Sequence, residues 1–215
     1  MMTSSPWVLG WVLLHPKQRR TQYTGYNRRH KSRAGPRMLA KPILEYQLQP
    51  PTYTEYDPAF VAVAARVMSL IESAAPWARV EHIGSTAVPG CAGKGIVDLL
   101  ALYRVGRLAA TRKAIDALGF QPQRTGHAFP EDRPMRVGAL EHGGRVYRVH
   151  VHIVAEDSPE VAELRRFRDV LRADSALRDA YQAKKRAILQ TGLSEPLGYT
   201  SAKGEFINAV LAAQH

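Results

Sequence analysis

The chain has 215 residues, 45% of them apolar, and a formal net charge of +11 at pH 7. It is long enough for one ordinary hydrophobic core, and its single cysteine, Cys91, excludes an intramolecular disulfide and a cysteine-rich zinc module. No stretch is long and apolar enough to predict a membrane span, so we expect no membrane partner and a reducing, cytoplasmic location.

The positive charge is concentrated near the start of the chain. Eight basic residues lie between Lys17 and Arg37, and no acidic residue precedes Glu45, so the rest of the chain is close to neutral. We therefore predict that residues 1–41 form a basic, disordered extension and residues 42–215 the folded domain. Two interpretations of the extension stay open: a basic or transit-like segment, or a gene-start artefact with translation beginning at Met38.

The pattern becomes regular after Tyr53. A helix is predicted to start at Asp57-Pro58, because aspartate caps helices and proline suits the first helical position. It is followed by strands at 80–83 and 96–102, a helix at 108–118 that ends at Gly119, a loop at 129–134 and a hairpin of strands at 135–140 and 145–154. Three helices follow, the last after residues 192–198. This order predicts an α+β domain with a small mixed sheet flanked by helices.

The segment 80–102 combines a strand, a turn of small residues and a second strand. The turn Gly84-Ser85-Thr86 opens a short predicted helix, whose first N–H groups suit a phosphate. Asp98 lies inside the apolar second strand, where burying an unpaired carboxylate is costly, so a divalent metal or a basic neighbour is expected beside it. Lys94 is expected to reach a phosphate as a point charge. An ion-paired structural aspartate and a solvated lysine remain the alternatives.

His150-Val151-His152 places two imidazoles on one face of the second hairpin strand. This spacing is compatible with metal binding, and a polar cleft shared with Asp98 and His82 is the preferred interpretation. Because these histidines lie opposite the apolar face of the strand, a solvated polar face explains them nearly as well.

Basic residues in the late helices alternate with acidic ones, which is typical of a solvated, ion-paired surface. No aromatic stacking platform accompanies them, so nucleic acid is not expected as a partner. The basic residues are Arg165, Arg166, Arg168, Arg172, Arg178, Lys184, Lys185 and Arg186.

Together these segments resemble the GrpB family, whose members are assigned to the polymerase-beta-like nucleotidyltransferase superfamily. The similarity runs from about Tyr53 to the C-terminus. The resemblance implies a nucleotidyltransferase-like mixed sheet, with Gly-Ser at the start of a helix that cradles a nucleotide phosphate. The matching segments are Tyr56 to Phe60, Glu81 to Gly90, Lys94 to Asp98, His150 to His152, Phe167 to Arg172, Tyr181 with Lys184, Tyr199-Thr200 with Lys203, and Phe206-Ile207.

The chain departs from this superfamily in its acidic residues. Active members bind two metals with an Asp-x-Asp pair and a third carboxylate on a later strand. Here Asp98 matches the first acid, Leu100 stands at the second position, and the later strand offers His150 and His152. One aspartate supplies too few anionic oxygens for two adjacent divalent ions.

Two functions follow as expectations. The first is a nucleotidyltransferase-like enzyme that binds a nucleotide or phosphorylated small molecule with Mg²⁺ or Mn²⁺. The second is a non-catalytic nucleotide- or phosphometabolite-binding module with a degenerate metal site. A single-metal protein with histidine and aspartate ligands ranks third, and the acceptor and oligomeric state stay open. The expected roles are phosphate binding by Gly84, Ser85, Thr86 and Lys94, metal binding by Asp98 and His152, catalysis by Asp98, His150 and His152, and cleft lining by Glu81, His82 and Lys203.

Overall fold

The computed structural model describes residues 41–50, 52–123, 129–190 and 196–213, with side chains described from 203 onward in the last of these ranges. The prediction for residues 1–41 therefore lies outside the described residues, except for Lys41. The side chains of Tyr199 and Thr200 also lie outside them.

The described residues form five α-helices and one five-stranded sheet. A single 3₁₀ turn, Ser85–Ala87, lies between the first two strands. In chain order the elements are α1 (Ala59–Ala74), β1 (Arg79–Ile83), β2 (Ile96–Tyr103), α2 (Leu108–Ala117), β3 (Gln121–Pro122), β4 (Met135–His142), β5 (Arg145–Ala155), α3 (Pro159–Ala173), α4 (Ser175–Gln190) and α5 (Pro196–Ala212).

The sheet is mixed, with strand order β1-β2-β5-β4-β3. The central pair β2–β5 is parallel, and the other pairs are antiparallel. Its register places one row of residues across the whole sheet: Ile83, Asp98, His150, Val137 and Gln121. The predicted α+β fold, a small mixed sheet flanked by helices, is confirmed.

The two faces of the sheet are covered by different helices. Val97, Leu99 and Ala101 face α1 and α2 and join the largest apolar cluster, where a fully buried valine or leucine contributes about 1.5–3 kcal/mol. Leu100 and Leu102 face the other way and pack with Val161 of α3. Since both faces carry helices, neither is the solvated polar face that alternation suggested for the histidines.

Most predicted elements are confirmed, and three details differ. The short helix after Gly84 is only one 3₁₀ turn. The two-residue strand β3 was not predicted, because so short a segment carries no alternation. The last helix begins at Pro196, two residues before Gly198, whereas the sequence predicted it to begin after that glycine.

Candidate functional site

Asp98 lies on strand β2, next to two histidines of the central strand β5. Its Oδ1 atom is 3.5 Å from His150 Nδ1 and 3.8 Å from His152 Nε2, and its side chain is 26% exposed. Burial raises the pKa of this carboxyl, but the interactions with His150 and His152 outweigh burial and hold the pKa well below its usual range. Asp98 is therefore an anion at neutral pH.

Gly84 brings the turn onto the other oxygen of the same carboxylate. Its φ is +74°, and a Cβ atom placed there would lie 2.8 Å from Asp98 Oδ2. Only glycine tolerates both this backbone conformation and this close approach. The glycine of the turn thus lets the loop after β1 lie directly over Asp98.

The turn and the aspartate open onto one cavity. Gly84, Ser85, Asp98 and Lys203 supply part of its polar lining, and apolar side chains of α3, α4 and α5 form its walls. The cavity measures ≈ 110 Å³, which is the volume of about four water molecules at liquid density. The walls include Phe167, Leu171, Tyr181 and Ile207.

Lys203 projects from α5 into this cavity. Burial lowers the pKa of its ammonium group, and the negative charge of Asp98 partly offsets that effect. A lysine carried by the last helix therefore faces the aspartate of the second strand. The sequence named Lys203 only as a cleft residue of the resemblance, and in the structure it lines the same cavity as Asp98.

Lys185 is a functional candidate that the sequence analysis missed. Its side chain is 2% exposed, and its Nζ atom lies 3.4 Å from Cys91 Sγ and 4.3 Å from the centre of the Tyr181 ring. It also donates a hydrogen bond to the carbonyl of Ala92. Burial lowers the pKa of this ammonium group to about 8. The prediction of a solvated surface is wrong for Lys185.

Gly93 separates Lys185 from the turn. A Cβ atom at Gly93 would lie 2.7 Å from Ser85 Oγ and 3.3 Å from Lys185 Nζ. The hydroxyl and the ammonium therefore flank the same glycine. A signal for Lys185 was present, because Tyr181, Lys185 and Ile188 recur at the spacing of one buried helix face.

Lys94 lies in the loop between the turn and β2. Burial and, to a smaller extent, the charge of Lys203 lower its pKa to about 8, although the charge of Asp98 raises it. Lys94, Lys203 and Asp98 are therefore close enough to interact electrostatically. Three lysines, from a loop and two helices, surround the region of Ser85 and Asp98.

Three of the predicted site residues have structural partners away from the cavity. Glu81 accepts two hydrogen bonds from Arg165, of 2.8 and 2.6 Å. The hydroxyl of Thr86 is buried and donates to the carbonyl of Ile96. His82 contacts the same hydroxyl at 3.0 Å and lines a different cavity with residues of α1, so it does not share a cleft with Asp98.

The two histidines of β5 differ in their surroundings. His152 is 1% exposed, and its ring centre is 5.8 Å from that of Phe129. Burial lowers its pKa, so His152 is neutral at pH 7. His150 lies between Asp98 and the hydroxyl of Tyr46, which is 3.0 Å from its Nε2 atom. The alternative of a solvated polar face is therefore wrong for His152.

Two adjacent divalent metals require several anionic ligands that converge on them. Within the described ranges, no group of three or more histidine, cysteine, aspartate or glutamate side chains converges on a metal position. Leu100, at the position of the second acid, is fully buried in an apolar cluster. These residues do not fit a resident two-metal centre. They do fit a Mg²⁺ ion that arrives on phosphate oxygens, since such an ion needs only one or two carboxylates and keeps its waters.

The fold and the site define a class: an α+β protein whose mixed sheet carries a cavity with a carboxylate, a Gly-Ser turn and a lysine. Residues 50–213 match the family model described as GrpB protein, and the chain belongs to the GrpB family.

Similar proteins agree with this assignment. A UPF0157 protein of Halalkalibacterium halodurans is 30% identical over 74% of this chain and 80% of its own length. A UPF0157 protein of Streptomyces coelicolor is 34% identical over 61% of this chain and 66% of its own length. The crystal structure of GrpB from Enterococcus faecalis superposes with a TM-score of 0.61 at 24% identity, covering 76% of this chain and 98% of that one, and supports the fold.

Other solved structures are more distant. The Cid1 poly(U) polymerase matches with a TM-score of 0.43 and 13% identity, over 60% of this chain and 40% of that one. At this distance the similarity carries no inference about activity. In the part of the chain that the structure describes, no helix combines the length and apolar character of a membrane span.

Proposed function

We propose that the cavity binds the phosphate groups of a nucleotide and that the protein is nucleotidyltransferase-like, with an acceptor still to be identified. One observation carries this proposal: the Gly-Ser turn, the anionic Asp98 and the ammonium of Lys203 line the same cavity. An anion beside Asp98 needs compensating positive charge, and Lys203, Lys185 and Lys94 supply it in a partly desolvated region where charges interact strongly.

Lysine side chains contribute most of the attraction for phosphate. The 3₁₀ turn Ser85–Ala87 is too short to carry the dipole of a full helix, so its backbone supplies hydrogen-bond donors but little charge. Ser85 donates its hydroxyl to a phosphate oxygen, and Lys203 neutralises the phosphate from the opposite side. Lys185 and Lys94 lower the electrostatic cost of bringing a polyanion next to Asp98.

Asp98 is the residue that would hold a Mg²⁺ or Mn²⁺ ion bound to these phosphates. Such an ion supplies Lewis-acid stabilisation of phosphate charge when it is bound. His150 and His152 act on Asp98 itself, because they keep it ionised and fix its Oδ1 atom. The sequence predicted His152 as a metal ligand and both histidines as catalytic groups. In this proposal both histidines instead position Asp98.

A second candidate is binding without transfer. It is favoured by Leu100, which packs with Ile83, Leu102 and Val154 where active superfamily members are expected to carry their second acid. Replacing Leu100 with a carboxylate would bury an anion in an apolar cluster, so the missing acid cannot be restored without repacking. A module of this kind would sense or carry a phosphorylated ligand.

Calorimetric titration with nucleoside triphosphates and Mg²⁺ tests the binding proposal. We expect Lys203→Gln to weaken binding at least tenfold, because a partly desolvated charge is lost, and Ser85→Ala to weaken it by roughly tenfold. Lys113→Gln, on the exposed surface of α2, is the matched control and leaves affinity unchanged. Equal affinity of Lys203→Gln and the parent chain would overturn the proposal.

Transfer is tested separately, with radiolabelled nucleoside triphosphates, Mn²⁺ and a panel of metabolite and protein acceptors. A labelled product that disappears in Asp98→Asn supports the enzyme. Nucleotide binding with no labelled product supports the second candidate.

A further inference from the structure

Glu163 presents a buried carboxylate oxygen at the wall of the same cavity. Its Oε2 atom is inaccessible to solvent and has no hydrogen-bond partner among the described residues. Leaving such an acceptor unpaired is costly, so an oxygen of this kind in a cavity wall calls for a partner. Burial raises the pKa of Glu163, and the charge of Arg166, which lies one turn further along α3, lowers it.

The neighbouring acid on this helix, Glu160, has a hydrogen-bond partner for its carboxylate. Glu160 also borders the cavity, but Arg133 donates to its Oε1 atom at 2.5 Å. Both side chains of that pair are largely buried. The two glutamates are three residues apart on α3, and only for Glu163 does a side-chain oxygen at the cavity wall remain unsatisfied within the described chain.

The position of Glu163 relates it to the proposed phosphate site. Glu163, Phe167 and Leu171 recur every four residues along α3 and border the cavity together. One helical turn, about 6 Å, therefore separates Glu163 from Phe167 along the helix axis. Arg168 and Arg172 donate to backbone carbonyls on either side of the turn, so the turn lies against the C-terminal part of α3. A ligand that extends from the turn along this face towards Glu163 therefore passes the ring of Phe167.

We infer that the nucleotide recognised here carries an amino group on its base and that Glu163 accepts a hydrogen bond from it. This inference rests on the proposed function. An ionised carboxylate accepts hydrogen bonds and donates none, so it favours adenine, cytosine or guanine, whose exocyclic amino groups are donors, over bases without an amino group. Phe167 and Tyr181 supply apolar contacts for the ring of the base.

The test compares ligands that differ only in the amino group. Calorimetry with Mg²⁺ measures ATP against purine riboside triphosphate, GTP against inosine triphosphate, and CTP against its analogue with hydrogen in place of the 4-amino group. For the pair that binds most tightly, we expect the amino compound to bind at least tenfold better, because a hydrogen bond to a charged group is lost in the analogue.

Variants then assign the preference to the residue. Glu163→Gln keeps the size of the side chain and removes its charge, and we expect the preference to fall to roughly threefold or less. Glu205→Gln, on the exposed side of α5, is the matched control and keeps the full preference. Thermal unfolding of each variant verifies that it is folded.

The outcomes separate the two proposals. Tight binding of both members of each pair, with no preference or with a preference that Glu163→Gln leaves intact, overturns this inference and leaves the phosphate site standing. If no nucleoside triphosphate binds, the proposed function fails first, together with the inference that depends on it.

Discussion

At the scale of single residues, Gly84 is the position where the structure most clearly requires glycine. The turn reaches Asp98 only because this position has a left-handed backbone and no side chain. The sequence predicted a small-residue turn here, but it could not show that the carboxylate lies directly beneath the glycine. That relation depends on the antiparallel pairing of Ile83 with Asp98.

Gly84→Ala should therefore destabilise the protein by about 2–4 kcal/mol, because the strained backbone and the clash with Asp98 add together. Gly106→Ala is the control: its φ is +80°, but no atom lies within 4 Å of the added Cβ, so it measures the backbone cost alone at about 1–2 kcal/mol. Urea denaturation measures both changes. Equal losses for the two variants would show that the close approach is unimportant.

His82 is the second residue with a measurable consequence. Burial lowers its pKa from 6.5 to about 4, so the unfolded chain binds a proton that the folded chain does not bind. The part of the folding stability that depends on His82 is therefore fully present above pH 6.5. It is lost as the pH decreases from 6.5 towards 4. His82 contributes about 2–3 kcal/mol to this loss.

His82→Gln should flatten part of the pH dependence of the free energy of unfolding between pH 7 and 4.5. The slope that remains is expected from His152, whose pKa is also lowered by burial. Urea titrations at four pH values across this window give the comparison. A variant with the same pH slope as the parent chain would show that His82 is protonated equally in both states.

At the scale of elements, α4 shows a functional residue placed on a buried helix face. Tyr181 and Ile188 are buried on one face of α4, and Lys185 lies between them at the same spacing. The alternation of basic and acidic residues in the late helices predicted a surface position for Lys185 instead. The helical periodicity of α4 therefore predicts the buried position of Lys185 better than its charge does.

Lys185→Met should raise the free energy of unfolding by about 2 kcal/mol at pH 7, because methionine fills the site without the desolvation cost of an ammonium group. The same variant should bind nucleoside triphosphate more weakly. Chemical denaturation and calorimetry on one preparation measure both effects. A loss of stability in Lys185→Met would instead assign Lys185 to holding Cys91 and Ala92 in place.

The sequence predicted the helices and strands better than it predicted the tertiary contacts between them. Helix α1, the strands of the central sheet and the hairpin were recognised from capping and alternation. Alternation also placed His150 and His152 on one face, but it could not show that α3, α4 and α5 cover that face. Thr86 and Glu81 were assigned to the site by motif, while their partners Ile96 and Arg165 depend on tertiary contacts.

At the scale of the whole molecule, the positive charge is distributed unevenly along the sequence. The formal charge of +11 resides mostly in residues 17–37, while the remainder of the sequence is close to neutral. Nucleic-acid affinity measured on the full chain would therefore report the basic segment and not the cavity.

Removing residues 1–37 should strongly reduce the salt concentration needed to elute the protein from immobilised nucleic acid, while affinity for nucleoside triphosphate stays within about twofold. Elution in a salt gradient and calorimetry, each on the full chain and on the chain without residues 1–37, measure these two effects. Unchanged retention after the deletion would assign nucleic-acid binding to the domain itself.

Lys203 has a further consequence for how the protein is made. The turn and Asp98 are synthesised in the first half of the chain, whereas the lysine that faces them emerges more than a hundred residues later, on α5. A ribosome-bound chain therefore lacks this charge until α5 has been translated. Fragments that stop before α5 would carry the turn and Asp98 without the lysine that the proposed phosphate site requires.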